Sequence, residues 1–147
     1  MPKFYPLKVK DLYKDTEQCS VIEFDMPEDL KDKFKYKAGQ YLTLRETING
    51  EDIRRSYSLC SSPIDNEWKV AVKEIPDGKF STHVNQFLKK DDTLQVMKPM
   101  GRFGTAISEI PKNYIVFTAG SGITPILSMI KTSKTLPSYV LIINKSL

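Results

Sequence analysis

Short runs of alternating apolar and polar residues, separated by turn signals, fill the first two-thirds of the chain. Such runs occur at 41–44 and 68–73, and a period of two is typical of half-buried β-strands. Further strands are expected at the stretches 4–13, 19–24, 53–59 and 93–97. The pair Asn49-Gly50 lies between two of these runs and is a strong signal for a hairpin. About six short strands joined by tight turns predict a small antiparallel β-barrel.

One helix is expected within this region. Ser81 or Thr82 is placed to cap it, and Val84, Phe87 and Leu88 then share one face because they follow the spacing i, i+3, i+4. The sequence therefore predicts a short helix between the fifth and sixth strands.

The pattern changes after Pro111. A nearly continuous apolar strand at 113–118 is followed by a glycine turn, a helical pattern from 124 to about 134, a break at Leu136-Pro137 and a second apolar strand at 139–143. This order is one βαβ unit, which is typical of a parallel sheet. We therefore expect two units: a β-barrel domain at residues 1–108 and part of an α/β domain at 109–147.

Composition narrows the classes of function. The net charge of +4 comes from lysines spread along the whole chain and mixed with acids, which is typical of a solvated surface. The two cysteines, Cys19 and Cys60, form no CxxC or Cys/His cluster, so a zinc or iron–sulfur site is not expected. Neither a signal peptide nor a membrane-spanning apolar run is present, and we expect a soluble cytoplasmic protein.

Three short motifs suit the binding of phosphates or rings. The first is Arg55-Ser56-Tyr57-Ser58, in which strand geometry puts Arg55 and Tyr57 on one face. A guanidinium beside an aromatic ring suits a ligand that carries both an anion and a flat ring. Taken alone, the motif is also typical of a surface strand with one aromatic residue in the core.

The other two motifs lie at expected helix starts. They are the segments 78–82 (Gly-Lys-Phe-Ser-Thr) and 120–125 (Gly-Ser-Gly-Ile-Thr-Pro), and a helix start offers unpaired N–H groups to a phosphate. Thr124 is placed to cap its helix, and Pro125 suits the first turn. Pro125 also stands where a GxGxxG motif has its third glycine, so the second segment departs from that dinucleotide motif. Taken alone, the segment 78–82 also fits an ordinary turn followed by a cap.

The order of the three motifs resembles the ferredoxin-NADP reductase family. Within it, the stretches 54–61 and 99–103 are most similar to the branch that contains flavohaemoglobin reductase domains and the reductase subunit of phenylacetyl-CoA epoxidase. The resemblance implies a six-stranded antiparallel Greek-key β-barrel that binds FAD. It also implies a partial parallel α/β domain for NADH or NADPH, in a chain shorter at its C-terminus than the family's members.

The resemblance also implies roles for individual residues. Arg55 would pair with the FAD pyrophosphate, Tyr57 would pack against the isoalloxazine, and Ser58 would hydrogen-bond near flavin N5, so Tyr57 and Ser58 are the implied catalytic residues. The turn 78–82 would hold the pyrophosphate, and the turn 120–125 would hold the phosphates of the nicotinamide dinucleotide. The implied cofactor-binding residues are Arg55, Ser56, Tyr57, Ser58, Val72, Lys73, Gly78, Lys79, Phe80, Ser81, Thr82, Gly120, Ser121, Gly122, Ile123, Thr124 and Pro125.

The implied function is that of a flavin-dependent oxidoreductase. It would pass electrons from NAD(P)H through FAD to an iron–sulfur domain or protein, without a metal site, nucleic-acid partner or membrane partner of its own. The alternative is a fragment that binds flavin or nucleotide without turnover, and the sequence leaves the activity of this short chain open. A barrel that binds nucleic acid would need exposed aromatic residues in a basic groove, whereas the aromatic residues here mostly lie in apolar alternation.

Overall fold

The computed structural model describes residues 2–106, 115–132 and 139–142. Within the first range, six strands form one sheet. They are β1 (Phe4–Thr16), β2 (Cys19–Asp25), β3 (Tyr41–Ile48), β4 (Glu51–Ser58), β5 (Lys69–Lys73) and β6 (Thr93–Met97). The six strands expected from the sequence are confirmed, with ends that differ by a few residues because pairing between strands extends some of them beyond their alternating core.

The sheet closes on itself. Its strands follow the order β4-β3-β6-β1-β2-β5, and every neighbouring pair is antiparallel. The two edge strands meet just beyond β4, where Leu59 bridges Val70 and the Cys60 N–H donates to the Lys69 carbonyl at 2.9 Å. The expected antiparallel Greek-key barrel is therefore confirmed.

The barrel interior is filled by the alternating apolar residues of the strands. Strand β5 and the first half of β3 bury every second residue, as the period of two requires when one face of a strand meets the core. Fully buried strand residues include Leu7, Val9, Ile22, Leu42, Leu44, Val70, Val72, Leu94 and Val96. Trp68 joins this core at 5% exposure, and its Nε1–H donates to the Phe34 carbonyl at 2.8 Å.

The expected hairpin at Asn49-Gly50 connects β3 to β4. Both residues have positive φ angles, 52° and 81°, as the tight two-residue turns that suit hairpin twist require. The pairing runs from Ile48 opposite Glu51 to Tyr41 opposite Ser58. The local turn signal therefore fixes the register of the whole β3–β4 ladder.

The described residues also form three α-helices: α1 (Glu28–Lys31), α2 (Lys79–Gln86) and α3 (Ile123–Thr132). Short 3-10 turns occupy Pro63–Asp65, Phe103–Ala106 and Gly120–Gly122. Among the described helices, none is long and apolar enough to cross a bilayer. The four-residue helix α1 carries too few residues to show a period, and the sequence did not predict it.

Two expectations about α2, its cap and its buried face, are wrong. The helix begins at Lys79, with Gly78 as the N-cap residue and no side-chain cap, so Ser81 and Thr82 lie inside the helix and neither caps it. Phe87 does not share the buried face: it is 62% exposed, whereas Val84 and Leu88 are buried together with Phe80. Phe87 and Leu88 follow the last residue of α2, Gln86, so the face shared by the helix itself is Phe80 and Val84, at i and i+4.

The second part of the chain forms the expected βαβ unit. Strands β7 (Ile115–Thr118) and β8 (Tyr139–Ile142) pair in parallel, with α3 between them in sequence. Pro125 lies in the first turn of α3, as expected. Thr124 does not cap that helix, because it is already the second residue of α3; its hydroxyl donates to the Ser121 carbonyl at 2.9 Å. The expected domain boundary near 108, the break at 136–137 and the strand ends at 113–114 and 143 lie outside the described residues.

Helix α3 is anchored to the barrel through polar contacts. The buried Ser128 hydroxyl donates to the Ser61 carbonyl at 2.6 Å, and Thr132 shares a hydrogen bond with Ser62 at 3.1 Å. Both partners lie in the loop that follows β4. The position of α3 is therefore set by the same loop that closes the barrel.

The substitution Trp68→Phe tests the core hydrogen bond. It keeps an aromatic ring but leaves the Phe34 carbonyl without its buried donor, so we expect a loss of about 1–3 kcal/mol in the free energy of unfolding. Urea denaturation measures this change. The control Tyr13→Phe removes a hydroxyl at a 44% exposed position and should change stability by less than about 0.5 kcal/mol. Equal losses of stability in the two variants would contradict a stabilising role for the hydrogen bond between Trp68 and the Phe34 carbonyl.

The substitution Ser128→Ala tests the anchoring of α3. It leaves the Ser61 carbonyl unpaired, and we expect the amides of 123–132 to exchange at least about fivefold faster, because local opening becomes easier by about 1 kcal/mol or more. Hydrogen exchange followed by mass spectrometry reports this directly. Leu127→Ala on the same helix, at a 36% exposed position, is the matched control, and unchanged exchange in Ser128→Ala would refute the anchor.

Candidate functional site

A cleft of about 770 Å³ lies between β4, β5 and the start of α2, and we call it the main cleft. Most residues of the first two sequence motifs line this cleft. Its lining includes Arg55, Ser56, Tyr57, Lys73, Gly78, Lys79, Phe80 and Ser81. Ser121, from the turn that precedes α3, also contributes to its wall. Residues from three distant stretches of the chain thus share one cavity.

Arg55 and Tyr57 lie side by side on β4, as strand alternation predicts. Arg55 is exposed, and its Nη1 donates to the Arg54 carbonyl at 2.7 Å. The Tyr57 ring packs against Phe80 with ring centroids 5.9 Å apart. Burial raises the pKa of Tyr57 to about 12, although the Arg55 charge opposes the shift. The phenol is therefore neutral at physiological pH, and the wall of the cleft is an uncharged ring next to a cation.

The charges of the main cleft favour an anion. Two of its cations are already paired: Arg54 contacts Asp52 at 2.7 Å, and Lys79 contacts Glu51 at 2.7 Å. Among the residues that the structure describes, Arg55 and Lys73 form no ion pair, and Asp77 is the remaining acid in the lining. Two uncompensated cations therefore face one carboxylate.

A tightly folded loop aims the start of α2 at this cleft. The Ser81 hydroxyl donates to the Gly78 carbonyl at 3.0 Å and accepts from the Ile75 N–H at 3.3 Å, while the Gly78 N–H donates to the Ile75 carbonyl at 3.0 Å. The first N–H groups of a helix have no partner within it. Phe80 and Ser81 line the cleft but are themselves buried, at 1% and 5% exposure.

Two predicted residues lie elsewhere. Val72 is fully buried and its carbonyl accepts from Asn85 Nδ2 at 3.0 Å; its neighbours Ala71 and Lys73 line the main cleft instead. Thr82 does not line the main cleft but a cavity next to it. The alternation along β5 could have predicted Ala71 as a lining residue, because Ala71 is two residues from Lys73 and residues two apart share a face of a strand.

A second cleft, of about 480 Å³, lies between the end of β4 and the turn before α3, and we call it the junction cleft. Ser58 lines it together with Gly122 and Pro125. Tyr57 and Ser58 therefore face different clefts, as their opposite positions on the strand require. The junction cleft also has lining residues that were not predicted for the site, among them Tyr41, Arg102, Phe103, Phe117 and Thr118. Tyr41 could have been found from the hairpin register, since it pairs with Ser58.

The remaining residues of the third motif form the turn itself. Gly120 has a φ angle of 55°, and a side chain there would meet open space. Ile123 begins α3, and Thr124 is buried with its hydroxyl bonded to the Ser121 carbonyl. None of these three is in the lining of either cleft. The turn as a whole nevertheless touches both, because Ser121 lines one and Gly122 the other.

Comparison with known proteins agrees with this geometry. Residues 6–104 match the family described as oxidoreductase FAD-binding domain. One component of 1,2-phenylacetyl-CoA epoxidase from Escherichia coli (strain K12) is 38% identical over 134 residues, which are 90% of this chain and 38% of that protein. The ferredoxin reductase component of 3-ketosteroid-9-alpha-monooxygenase from Rhodococcus rhodochrous is 37% identical over 131 residues, with 88% of this chain and 37% of that protein covered. The chain thus spans less than half the length of these relatives.

Solved structures share the fold. Phthalate dioxygenase reductase, described as a modular structure for electron transfer from pyridine nucleotides to [2Fe-2S], matches with a TM-score of 0.77 and 25% identity over 97% of this chain and 44% of that one. The FAD/NAD-binding domain of nitric oxide dioxygenase from Vibrio cholerae matches with a TM-score of 0.81 and 22% identity over 99% of this chain and 64% of that one. At this identity the second match supports the fold alone. The resemblance inferred from the three motifs is confirmed.

The substitution Gly78→Ala tests the tight loop of the main cleft. A Cβ at this position would lie 2.5 Å from Ile75 Cγ1 and still closer to the Ser81 hydroxyl. We expect a loss of about 1–3 kcal/mol in the free energy of unfolding, because overpacking displaces the loop. Thermal or urea denaturation measures it. The neighbouring substitution Lys79→Ala is the control, because it removes only an exposed ion pair and should lower the free energy of unfolding by less than about 1 kcal/mol. An unchanged stability of Gly78→Ala would contradict the tight loop geometry.

Proposed function

The chain belongs to the oxidoreductase FAD-binding domain family, and we propose that it is the flavin module of a reductase. In this proposal electrons pass from NADH or NADPH through FAD to an iron–sulfur or other one-electron acceptor. The family match confirms FAD as the expected cofactor. The single observation that carries the proposal is the meeting of Arg55, Tyr57 and the start of α2 in one cleft.

The residues of the main cleft fit FAD. Its volume of about 770 Å³ falls in the range of small-molecule sites, and its uncompensated cations suit a pyrophosphate. In the proposed arrangement Arg55 donates to a phosphate oxygen, and the N–H groups at the start of α2 donate to the same anion. Tyr57 packs against the flat ring system, while Ser56 and Lys73 line the path between ring and phosphates.

The junction cleft is the proposed meeting point of flavin and nicotinamide. Ser58 lines its barrel side, and Gly122 and Pro125 line its other side. We assign Ser58 to a hydrogen bond at the ring edge near flavin N5 and the turn 120–125 to the phosphates of the nicotinamide dinucleotide. FAD supplies the chemistry when bound, because it accepts a hydride and releases electrons singly. The contribution of the chain is to hold the two rings in contact.

The partners in this proposal follow from the relatives. One relative is a ferredoxin reductase component and one structural match transfers electrons to [2Fe-2S], which supports an iron–sulfur acceptor. We further propose that residues 1–108 form the flavin unit and 109–147 part of the nicotinamide unit, since the family match ends at 104. The free thiols Cys19 and Cys60 support a cytoplasmic location.

An absorbance spectrum and a rapid-mixing experiment test the function. The purified chain, reconstituted with FAD, should show the bound-flavin spectrum, and mixing with NADPH or NADH under anaerobic conditions should bleach it. Comparing the two donors identifies the preferred one. If flavin binds but neither donor bleaches it, the chain is a flavin-binding domain without reductase activity. If flavin does not bind, the proposal is refuted.

The substitution Arg55→Ala tests the phosphate contact. We expect it to weaken FAD binding by about 1.5–3 kcal/mol, the range of a hydrogen bond to a charged group. Isothermal titration of the flavin-free protein measures the change. Arg54→Ala is the matched control, because Arg54 is already paired with Asp52 at 2.7 Å. An Arg55→Ala protein that holds FAD as tightly as the parent would disprove the role.

A further inference from the structure

Three segments that are far apart in the chain meet in one tight contact beside the junction cleft. They are the loop that precedes β3, the 3-10 turn Phe103–Ala106 and helix α3. A Cβ placed on Gly39 would lie 2.5 Å from Met129 Cε and 2.7 Å from the Gly104 nitrogen. The methyl end of the Met129 side chain therefore packs directly against the backbone of Gly39, in a space over Gly39 and Gly104 that we call the glycine slot.

Glycine is required at both positions of the slot, for different reasons. Gly39 has a φ angle of 89°, a conformation that side chains other than glycine rarely adopt. The φ angle of Gly104 is not positive, so at this residue the requirement is space: a Cβ would overlap the Ala38 carbonyl oxygen and lie 3.5 Å from Met129 Cε. Methionine is unbranched and flexible and suits narrow gaps of this kind. The two glycines thus form the slot, and Met129 fills it.

The glycine slot is coupled to the end of β4. Gly39 lines the junction cleft together with Ser58. The next residue, Gln40, accepts a hydrogen bond at its carbonyl from the Leu59 N–H at 2.9 Å, and its Nε2 donates to the Gly101 carbonyl at 3.1 Å. The residue after Gly39 is therefore bonded to the residue after Ser58. The slot and Ser58 cannot move apart without breaking this bond.

On the other side of the cleft, Met129 lies one helical turn after Pro125. Pro125 lines the junction cleft, and residues four apart share a face of a helix. The distance along the axis between them is about 6 Å, at about 1.5 Å per residue. The depth at which Met129 enters the slot therefore sets how closely Pro125 approaches the barrel wall.

Met129 attaches α3 to a different loop from the polar anchors of the helix. Ser128 bonds to Ser61 at 2.6 Å and Thr132 to Ser62 at 3.1 Å, both in the loop after β4. These anchors alone would let the helix tilt about one loop. The contact of Met129 with the loop before β3 is a second attachment, and it removes this freedom.

We propose that Met129 is a positioning residue for the proposed reaction. By filling the glycine slot it sets the width of the junction cleft, and with it the separation of the flavin and nicotinamide rings. The inference rests on the proposed function, because it names what holds the two rings in contact. Reacting atoms must come to about 3–3.5 Å, and a displacement of about 1 Å can cost about 10²-fold in rate.

Hydrogen exchange on the flavin-free chain tests the contact without any reaction. Met129→Ala empties the slot, and we expect the amides of 38–41 and 123–132 to exchange at least about threefold faster, because local opening becomes easier. The amides of β5 should be unchanged. Leu127→Ala is the matched control on the same helix, since Leu127 is 36% exposed, and it should leave the exchange of 38–41 unchanged.

Anaerobic rapid mixing of the FAD-loaded chain with NADH or NADPH tests the positioning role. In Met129→Ala we expect the limiting rate of flavin reduction to fall about tenfold or more, while the donor concentration that gives half this rate changes by less than about twofold. Met129→Leu refills the slot and should restore the limiting rate to within about threefold of the parent. A merely structural role would lower the thermal midpoint without changing the limiting rate at temperatures well below it.

Four results would overturn the inference. They are unchanged exchange in Met129→Ala, faster exchange with an unchanged limiting rate, equal losses of rate in Met129→Ala and Leu127→Ala, and a Met129→Leu protein as slow as Met129→Ala. All four are measured against a parent whose bound flavin is reduced. A parent whose flavin is reduced by neither donor would instead refute the proposed reductase function, and the inference with it.

Discussion

The backbone contacts that join β4 to β5 hold the site together. These strands are the two edges of the sheet order, and an edge strand with unpaired N–H and C=O groups is a liability unless it is covered or closed. Closure occurs at Leu59 and Val70 and through the Cys60 N–H bond to the Lys69 carbonyl at 2.9 Å. Because Arg55 lies on β4 and Lys73 on β5, the distance across the main cleft depends on this closure.

Helix α2 is held against the barrel by the half-buried side-chain amide of Asn85. Asn85 Nδ2 donates to the Val72 carbonyl at 3.0 Å and to the Ser81 carbonyl at 2.9 Å, while its Oδ1 accepts from the Ser20 hydroxyl at 2.8 Å. One side chain thus connects the helix to β2 and β5. Networks of this kind fix geometry because each broken bond would leave a buried polar group unpaired. The direction of the helix start, and so of its N–H groups, follows from this network.

The loop after β4 serves both parts of the chain. It begins with the closing contacts of the barrel and continues to Ser61, whose carbonyl accepts from Ser128 of α3 at 2.6 Å. Since α3 follows the turn Gly120–Gly122 directly, fixing the helix also fixes the turn. Ser121 and Gly122 can therefore reach the main cleft and the junction cleft. The proposed contact between flavin and nicotinamide depends on this shared loop.

The sequence by itself determined the elements that depend on neighbours along the chain. The six strands follow from alternation, the hairpin from Asn49-Gly50, and the βαβ unit from its apolar strands and glycine turn, since periodicity and turn chemistry act over a few residues. The order of the three motifs also indicated the family and most residues of the main cleft. Only the tertiary structure decided which of these residues meet. Arg55 and Lys73 share the main cleft with Ser121, whereas Ser58 lines the junction cleft with Pro125. These outcomes depend on the closure of the barrel and on the anchoring of α3, which join stretches far apart in the chain.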